Sequence, residues 1–290
     1  TVVAQRRPGT NGSTTVCSNS GSFNLFPLLG GNPQPGGTWS PGTGQYDPST
    51  NNPGVFTYTL TGTTPCPNAT ATVTVAEVAA PIAGNSASTT VCSNDGTFNM
   101  TLRLGGSPQP GSWSFGGNPH SNLFTPGVDL PGVYVYTVLG ISPCGSAIAT
   151  LTVNVNNAPN AGANADTTVC ANGQSFSLFS LLSGGAQPGG VWTGPGGPHT
   201  GFYEPTSDTP GDYFYTVTGL SPCATDVAVV TVSESDVPNA GISAPLVVCS
   251  NGSSVNLITA LGGTPSPTGS WTGPAPSTAA FNGVFIPGTT

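Results

Sequence analysis

The chain carries very little charge, and this scarcity excludes several kinds of partner. It has no lysine, its only cations are Arg6, Arg7 and Arg103, and its formal net charge is -8 at pH 7. Nucleic acids and anionic membrane surfaces are both bound through clustered Lys and Arg side chains, which this sequence lacks. We therefore expect neither as a partner.

Long apolar runs and helical periodicity are also missing. No stretch reaches 18 consecutive apolar residues, so we expect no direct membrane insertion. No segment places its apolar residues at helical spacing, and prolines interrupt every candidate window. The chain also starts without a methionine or an apolar signal sequence, and we interpret it as a fragment of a longer protein.

The sequence does contain an internal repeat, built around one cysteine and one tryptophan. Thr-Thr-Val-Cys occurs three times and Leu-Val-Val-Cys once, and each motif is followed 21 or 22 residues later by one of the four tryptophans. This periodicity predicts one small domain written three times and begun a fourth time. The predicted domains cover residues 1–80, 81–158, 159–237 and, truncated, 238–290.

Each repeat reads as a set of short strands. The clearest is an alternating aromatic strand, at Gly54–Gly62 in the first repeat, followed by a Pro-Cys turn and a β-branched strand. Such strands, punctuated by Gly and Pro, predict a small β-sandwich for each repeat. The fold class is therefore all-β, a tandem array of Ig-like or PKD-like sandwiches. Short joints with one proline each predict a semi-rigid rod.

The seven cysteines allow two regular pairing schemes. Pairing within repeats gives Cys17–Cys66, Cys92–Cys144 and Cys170–Cys223 and leaves Cys249 unpaired. Pairing between neighbours gives Cys66–Cys92, Cys144–Cys170 and Cys223–Cys249 and leaves Cys17 unpaired. We favour the first, because domains of this size bury little surface and exported ones are usually stapled internally. Buried free thiols are the alternative, and regular cysteine pairs indicate a location outside the cytoplasm.

One tryptophan per repeat has two interpretations. Each could be a platform on which a sugar stacks, or a core side chain packed beside a disulfide, as in sandwich domains. We favour the core role, with Trp192 expected beside a Cys170–Cys223 bridge. The tryptophans are Trp39, Trp113, Trp192 and Trp271.

Side chains that could perform catalysis or bind metal are few. His120 and His199 each follow a tryptophan by seven residues, and Tyr46 has the same offset in the first repeat. We expect both histidines to be isolated turn residues without a carboxylate beside them. No nucleophile–base pair is visible, so the chain is not expected to be an enzyme, and no cofactor is expected. A structural calcium site formed by loop and joint acids is a further possibility; these acids are Asp47, Glu77, Asp129, Glu204, Asp208, Glu234 and Asp236.

The repeat resembles the PKD-like/Ig-like repeats of very large Bacteroidota surface proteins. The matching motifs are clearest in the third repeat, at Pro159–Cys170, Phe176–Leu178, Gly184–Trp192, Pro210–Cys223 and Val227–Val232. The resemblance covers nearly the whole chain, although Arg6-Arg7-Pro8 departs from it. It implies export by type IX secretion and a place among gliding-motility adhesins, where such repeats form stalks without catalytic residues.

These observations predict a structural stalk segment of an extracellular, cell-surface adhesin or filament, which spaces a distal binding tip from the cell and bears force. Its partners would be neighbouring repeats of the same chain, with other surface proteins or glycans as further candidates. The alternative is a carbohydrate- or surface-binding module acting through the loops around His120 and His199.

Overall fold

The computed structural model describes residues 5–273 and 280–288. In this part of the chain the regular structure is β-strand with four short 3₁₀ turns, and the predicted all-β class is confirmed. The chain divides into two compact units. The first comprises Thr1–Ala158 with Gly219–Ala224, and the second comprises Pro159–Thr218 with Thr225–Thr290.

The first repeat is a four-stranded sheet covered by a two-stranded one. The large sheet has the order β1-β6-β5-β3, the small one pairs β2 with β4, and β1 runs parallel to β6. A 3₁₀ turn covers Phe26–Leu28. The strands are β1 (Gly12–Cys17), β2 (Phe23–Asn24), β3 (Thr38–Ser40), β4 (Gln45–Tyr46), β5 (Gly54–Leu60) and β6 (Ala69–Val78).

The second repeat has the same topology with one added edge strand. Its large sheet has the order β10-β9-β12-β13-β7, with β7 parallel to β13, and its small sheet pairs β8 with β11. A 3₁₀ turn covers Met100–Arg103. The strands are β7 (Ala87–Cys92), β8 (Phe98–Asn99), β9 (Ser112–Phe115), β10 (Asn118–His120), β11 (Leu123–Phe124), β12 (Gly132–Val138) and β13 (Ala147–Asn156).

The third repeat matches the second. Its large sheet has the order β14-β20-β19-β16-β17, with β14 parallel to β20, and its small sheet pairs β15 with β18. A 3₁₀ turn covers Leu178–Leu181. The strands are β14 (Ala165–Cys170), β15 (Phe176–Ser177), β16 (Val191–Gly194), β17 (Gly197–His199), β18 (Phe202–Tyr203), β19 (Gly211–Val217) and β20 (Asp226–Ser235).

The fourth region contains two two-stranded sheets in its described residues, β21 with β24 and β22 with β23, and a 3₁₀ turn at Leu257–Ala260. Leu246–Cys249, the counterpart of the first strand, is not a strand here. No long last strand follows it in the described residues to supply a parallel partner. The strands are β21 (Val255–Asn256), β22 (Trp271–Thr272), β23 (Ala280–Phe281) and β24 (Val284–Phe285).

The alternating aromatic strands form the core of each of the first three repeats, as predicted. In β19, Tyr213, Tyr215 and Val217 are buried, and the side chains between them face outward. The buried Tyr215 hydroxyl donates to Gln187 O at 2.7 Å and accepts from Gly190 N at 2.8 Å. The Gly- and Pro-rich turn before the tryptophan is thereby fixed to the core strand, and both hydrogen-bonding capacities of the hydroxyl are used.

Gly190 is required by this close approach. A Cβ at this position would lie 2.5 Å from Cζ of Tyr215 and 2.7 Å from Thr216 O. The backbone of the turn therefore lies directly against the tyrosine ring, which only a residue without a side chain permits.

Candidate functional site: the cysteine joints

In each of the first three repeats, the first cysteine lies where two parallel strands end together. Cys17 pairs with Val78 at the last position of β1 and β6, and the chain passes from this end into the next repeat. Ser18 N donates to Val78 O at 2.9 Å, and Ser18 Oγ accepts from Ala80 N at 2.9 Å. The segment that leaves the repeat is thus held to the end of its first strand.

The second repeat builds the same end. Cys92 pairs with Asn156, Ser93 N donates to Asn156 O at 2.9 Å, and Ser93 Oγ accepts from Ala158 N at 2.9 Å. In the third repeat Cys170 pairs with Ser235 in the same register, with Ala171 in place of the serine.

The second cysteine of each repeat lies in the tight turn between its two longest strands. The amides of Cys66, Cys144 and Cys223 donate to the carbonyl three residues earlier at 2.8, 2.9 and 2.8 Å. A cis proline precedes each of the three cysteines. The three turns are therefore built alike.

Two disulfides join the first kind of cysteine to the second kind in the following repeat. Cys17 bonds to Cys144 and Cys92 bonds to Cys223, with Cα–Cα distances of 4.9 and 5.0 Å and sequence separations of 127 and 131 residues. Both distances lie within the ordinary disulfide range. All four cysteines are buried.

The surroundings of both bonds match. The sulfur of Cys144 lies 3.4 Å from Val78 O, and that of Cys223 lies 3.4 Å from Asn156 O. Asn156 Nδ2 also donates to Ser221 O at 2.8 Å. The turn containing Cys223, at Gly219–Ala224, belongs to the first compact unit, which also contains Cys92.

The expected cysteine pairing is wrong in both versions. Because β1 runs parallel to β6, Cys17 lies at the end of the ten-residue β6, whereas Cys66 lies before its start. A strand of that length separates the two positions by roughly 30 Å, and a disulfide requires Cα atoms within about 7 Å. Within the structure Cys66, Cys170 and Cys249 are free, so the predicted bonds of Cys66 and Cys170 do not form.

The tryptophans lie against the aromatic strand. Trp113 and Trp192 are buried in their cores and pack on Tyr136 and Tyr215, with ring centroids 4.9 Å apart in both cases. Trp39 is partly buried against the first core, and Trp271 is half-buried. The expectation that Trp192 packs beside a Cys170–Cys223 bridge is wrong, because that bridge is not formed.

A buried tyrosine and a partly exposed glutamate connect the small sheet to the last strand in two repeats. Tyr46 is fully buried, and its hydroxyl donates to Glu77 Oε1 at 2.6 Å. Tyr203 does the same with Glu234 at 2.6 Å. Burial, and then the hydrogen bond and charge of Glu77, raise the pKa of Tyr46 to about 12, and the corresponding causes raise the pKa of Tyr203 further.

The offset that equated Tyr46 with His120 and His199 is wrong. Tyr46 pairs with Phe23 in the small sheet, and the residues that pair in the same way are Phe124 and Tyr203. Repeats two and three insert the edge strands β10 and β17 before this position, and the histidines end these added strands.

Each histidine faces an aspartate, contrary to the expectation of isolated turn residues. His120 Nε2 lies 3.4 Å from Asp129 Oδ1, and His199 Nε2 lies 3.2 Å from Asp208 Oδ2. The other ring nitrogen of His120 lies 2.8 Å from Ser121 O. In the described part of the chain both imidazoles form their hydrogen bonds with backbone atoms and aspartates, and neither bonds to a hydroxyl or thiol.

The histidine–aspartate pairs also pack on the aromatic core. The His199 ring lies edge-on to Tyr213 with centroids 4.7 Å apart, and Asp208 Oδ2 accepts from Glu204 N at 2.7 Å. Burial, and then Asp208 and Glu234, raise the pKa of Tyr213. Each pair therefore connects the end of the added edge strand to the loop that precedes the aromatic strand.

Five of the acids considered for calcium have other contacts. Glu77 and Glu234 bind tyrosine hydroxyls, and Asp129 and Asp208 bind histidines and loop amides. Hydrogen bonds from the side chain and backbone of Ser49 lower the pKa of Asp47. Over residues 5–273 and 280–288, no three His, Cys, Asp or Glu side chains group as metal ligands.

Two other features bear on function. A groove of about 450 Å³ in the second repeat is lined by Thr101, Trp113, His120, Asn122 and Tyr136, among others. Trp113 is only 3% exposed and donates to Thr101 Oγ1, so it offers no open ring face there. Within residues 5–273 and 280–288, no helix is long and apolar enough to cross a membrane.

Comparisons with known proteins give weak likenesses to tandem immunoglobulin domains. Titin domains I67–I69 match 78% of this chain and 97% of that chain, at 12% identity and a TM-score of 0.39. Sidekick-1 immunoglobulin domains 1–5 match 78% of this chain and 59% of that chain, at 14% identity and a TM-score of 0.29. Drosophila OTK extracellular domains 3–5 match 78% of this chain and 95% of that chain, at 11% identity and a TM-score of 0.28. Likenesses of this size carry no argument about family or function. No protein-family model and no curated protein matches the chain.

Proposed function

We propose that this chain is a structural stalk segment of an extracellular adhesin or surface filament, which spaces a distal binding part from the cell and bears force. The observation that supports this most is the pattern of disulfides, each of which bonds one repeat to the last hairpin of the next. Bonds of this kind oppose separation of neighbouring repeats under tension. Independent binding modules have no need of them.

The cysteines also support the proposed location. Disulfides persist in oxidising surroundings and are rare in the cytosol. Four buried cysteines in two bonds of matching geometry therefore favour a protein that works outside the cell. The domain limits at residues 80, 158 and 237 remain part of this proposal, with each large sheet falling inside one predicted repeat.

The finer assignment rests on the resemblance of the repeat motif. We propose a Bacteroidota cell-surface protein related to gliding-motility adhesins and exported by type IX secretion, with neighbouring repeats as the main partners. A role that is not enzymatic is part of this proposal.

The test is replacement of this segment in the cell that makes it. One version replaces residues 1–290 with an unrelated array of the same number of Ig-like domains, and another with a single such domain. A stalk predicts that the matched array preserves surface attachment and the single domain loses it. Loss of attachment with the matched array would show that the repeats contribute more than distance and would contradict the proposal.

A carbohydrate-binding module is the second candidate, because the groove beside His120 is open and lined with polar groups. Its test is a glycan array probed with the full chain and with His120→Ala. Binding that this variant loses would support the second candidate, and no binding by either protein would count against it.

A further inference from the structure

The two disulfides change the route by which tension travels along the chain. Cys17 ends β1, and its bond leads to Cys144, just before β13. From β13 the main chain continues directly to β14. Tension that enters at β1 therefore reaches β14 through β1, the disulfide and β13. It does not pass through the aromatic strands β5 and β12 or through the other strands of the first two repeats.

A second route complements the first. From β6 the main chain leads directly to β7, which ends at Cys92, and the bond from Cys92 leads to Cys223, just before β20. Cys66 lies before the start of this route, in the turn that leads into β6, and Cys170 lies at the end of the first one.

We infer that the array carries load through two covalent cables of extended strand. Cable one is β1, the Cys17–Cys144 bond, β13 and β14. Cable two is β6, β7, the Cys92–Cys223 bond and β20. This inference deepens the proposed stalk function. The biological role of the cables rests on that proposal, whereas their existence rests on the strands and disulfides alone.

The parallel strand pairs support this assignment. β1 pairs with β6, β7 with β13 and β14 with β20, so each parallel pair contains one strand from each cable. Each pairing extends over six residue pairs. Within every repeat the two cables therefore lie side by side, joined by a ladder of hydrogen bonds.

The two strands of each parallel pair are loaded separately, each along its own cable. In the second repeat, cable one is loaded from Cys144 to Asn156 along β13, and cable two from Ala87 to Cys92 along β7. Both stretches are already extended, so tension gains almost no length by unfolding the rest of the repeat. The core aromatic strand β12 lies on neither cable.

The experiment measures stretched length by single-molecule force spectroscopy. The full chain carries C66S and C249S, so that Cys170 is the one free thiol, and handles are attached at the N-terminus and at Cys170. Along cable one the connection contains about 44 residues, so the oxidised chain should reach roughly 150 Å at full stretch.

Two matched variants separate the cables. C17S/C144S removes cable one and should lengthen the stretched chain to roughly 500 Å, because the remaining route has about 146 residues. C92S/C223S removes only cable two and should leave about 150 Å. If C17S/C144S does not fold and the Cys92–Cys223 bond fails to form, its stretched length rises to roughly 580 Å, which is still far above that of the oxidised parent chain.

Other lengths would overturn the inference. If the cysteines paired within repeats, the oxidised parent chain, which lacks Cys66, would have only the Cys92–Cys144 bond along the stretched route and would reach roughly 400 Å. An uncrosslinked chain would reach roughly 580 Å. A C92S/C223S chain as long as C17S/C144S would also contradict it. The measurement uses purified protein, so its failure is distinct from failure of the attachment test in cells.

Discussion

Tyr46 donates a hydrogen bond of 2.6 Å to Glu77, and the second repeat replaces both partners together. Phe124 occupies the position of Tyr46 in the small sheet, and Val155 occupies that of Glu77 in the last strand. Phe124 is fully buried, and Val155 packs against the same core. The contact between the small sheet and the last strand is thus a hydrogen-bonded tyrosine–glutamate pair in the first repeat and an apolar phenylalanine–valine pair in the second.

This exchange predicts strong coupling between Tyr46 and Glu77. Glu77→Val leaves a buried hydroxyl without an acceptor and should cost about 1–3 kcal/mol of unfolding free energy. Adding Tyr46→Phe should recover much of that loss, because the double variant copies the second repeat. Denaturant unfolding of the single and double variants measures the coupling, and additive losses would contradict the account.

The raised tyrosine pKa predicts loss of stability in alkali. The folded protein holds Tyr46 neutral up to a pKa of about 12, whereas the unfolded chain ionises near 10. Stability should therefore be full below pH 10 and fall between 10 and 12 by about 1.4 kcal/mol per pH unit for this tyrosine. Tyr203 adds a loss of the same sign.

The measurement is the denaturant midpoint at pH 8 and pH 11 in samples held briefly at each pH. Tyr46→Phe removes one titrating group and should show a smaller drop than the parent protein. An equal drop in the two proteins would contradict the assignment of the raised pKa to Tyr46.

The turn before the tryptophan predicts sensitivity at Gly190. Gly190→Ala places a Cβ against Tyr215 and should cost about 1–3 kcal/mol through overpacking. Gly196→Ala is the matched control, because nothing lies within 4 Å of its Cβ position. Thermal unfolding measures the stability of both variants. Equal melting temperatures would show that the close approach of Gly190 to Tyr215 does not limit stability.

The inter-repeat bonds predict a stability loss that depends on which cysteine is changed. Closing a loop of 127 residues stabilises by about 5 kcal/mol in the chain-entropy model, and overlap with the second loop reduces this. C17S/C144S should lower the melting temperature, as should a reducing agent. Cys170→Ser, at an exposed free cysteine, should leave it unchanged. Equal effects of the two changes would contradict the pairing.

Much of the fold could be predicted from the sequence because it depends on local pattern. Alternation placed the core of β5, β12 and β19 correctly, and the repeated Thr-Thr-Val-Cys motif marked β1, β7 and β14 as strands. These features need no knowledge of which strands are neighbours.

The joints could not be predicted in the same way. The cysteine partners depend on the direction in which β1 lies against β6, and spacing along the chain does not reveal that direction. The inserted edge strand likewise concealed the equivalence of Tyr46 and Phe124. Counting residues from the tryptophan therefore aligned Tyr46 with His120 instead. Aligning the last strands shows that one position is Glu77, Val155 or Glu234 in the three repeats. The reason for this exchange is apparent only once the structure shows which residue of the small sheet contacts that position.

Disulfide mapping tests the central claim most directly. The intact protein is digested with pepsin at acidic pH, where thiol–disulfide exchange is slow, and the linked peptides are identified by mass spectrometry without reduction. The structure predicts peptides joining Cys17 to Cys144 and Cys92 to Cys223. Peptides joining Cys17 to Cys66, or Cys66 to Cys92, would contradict it.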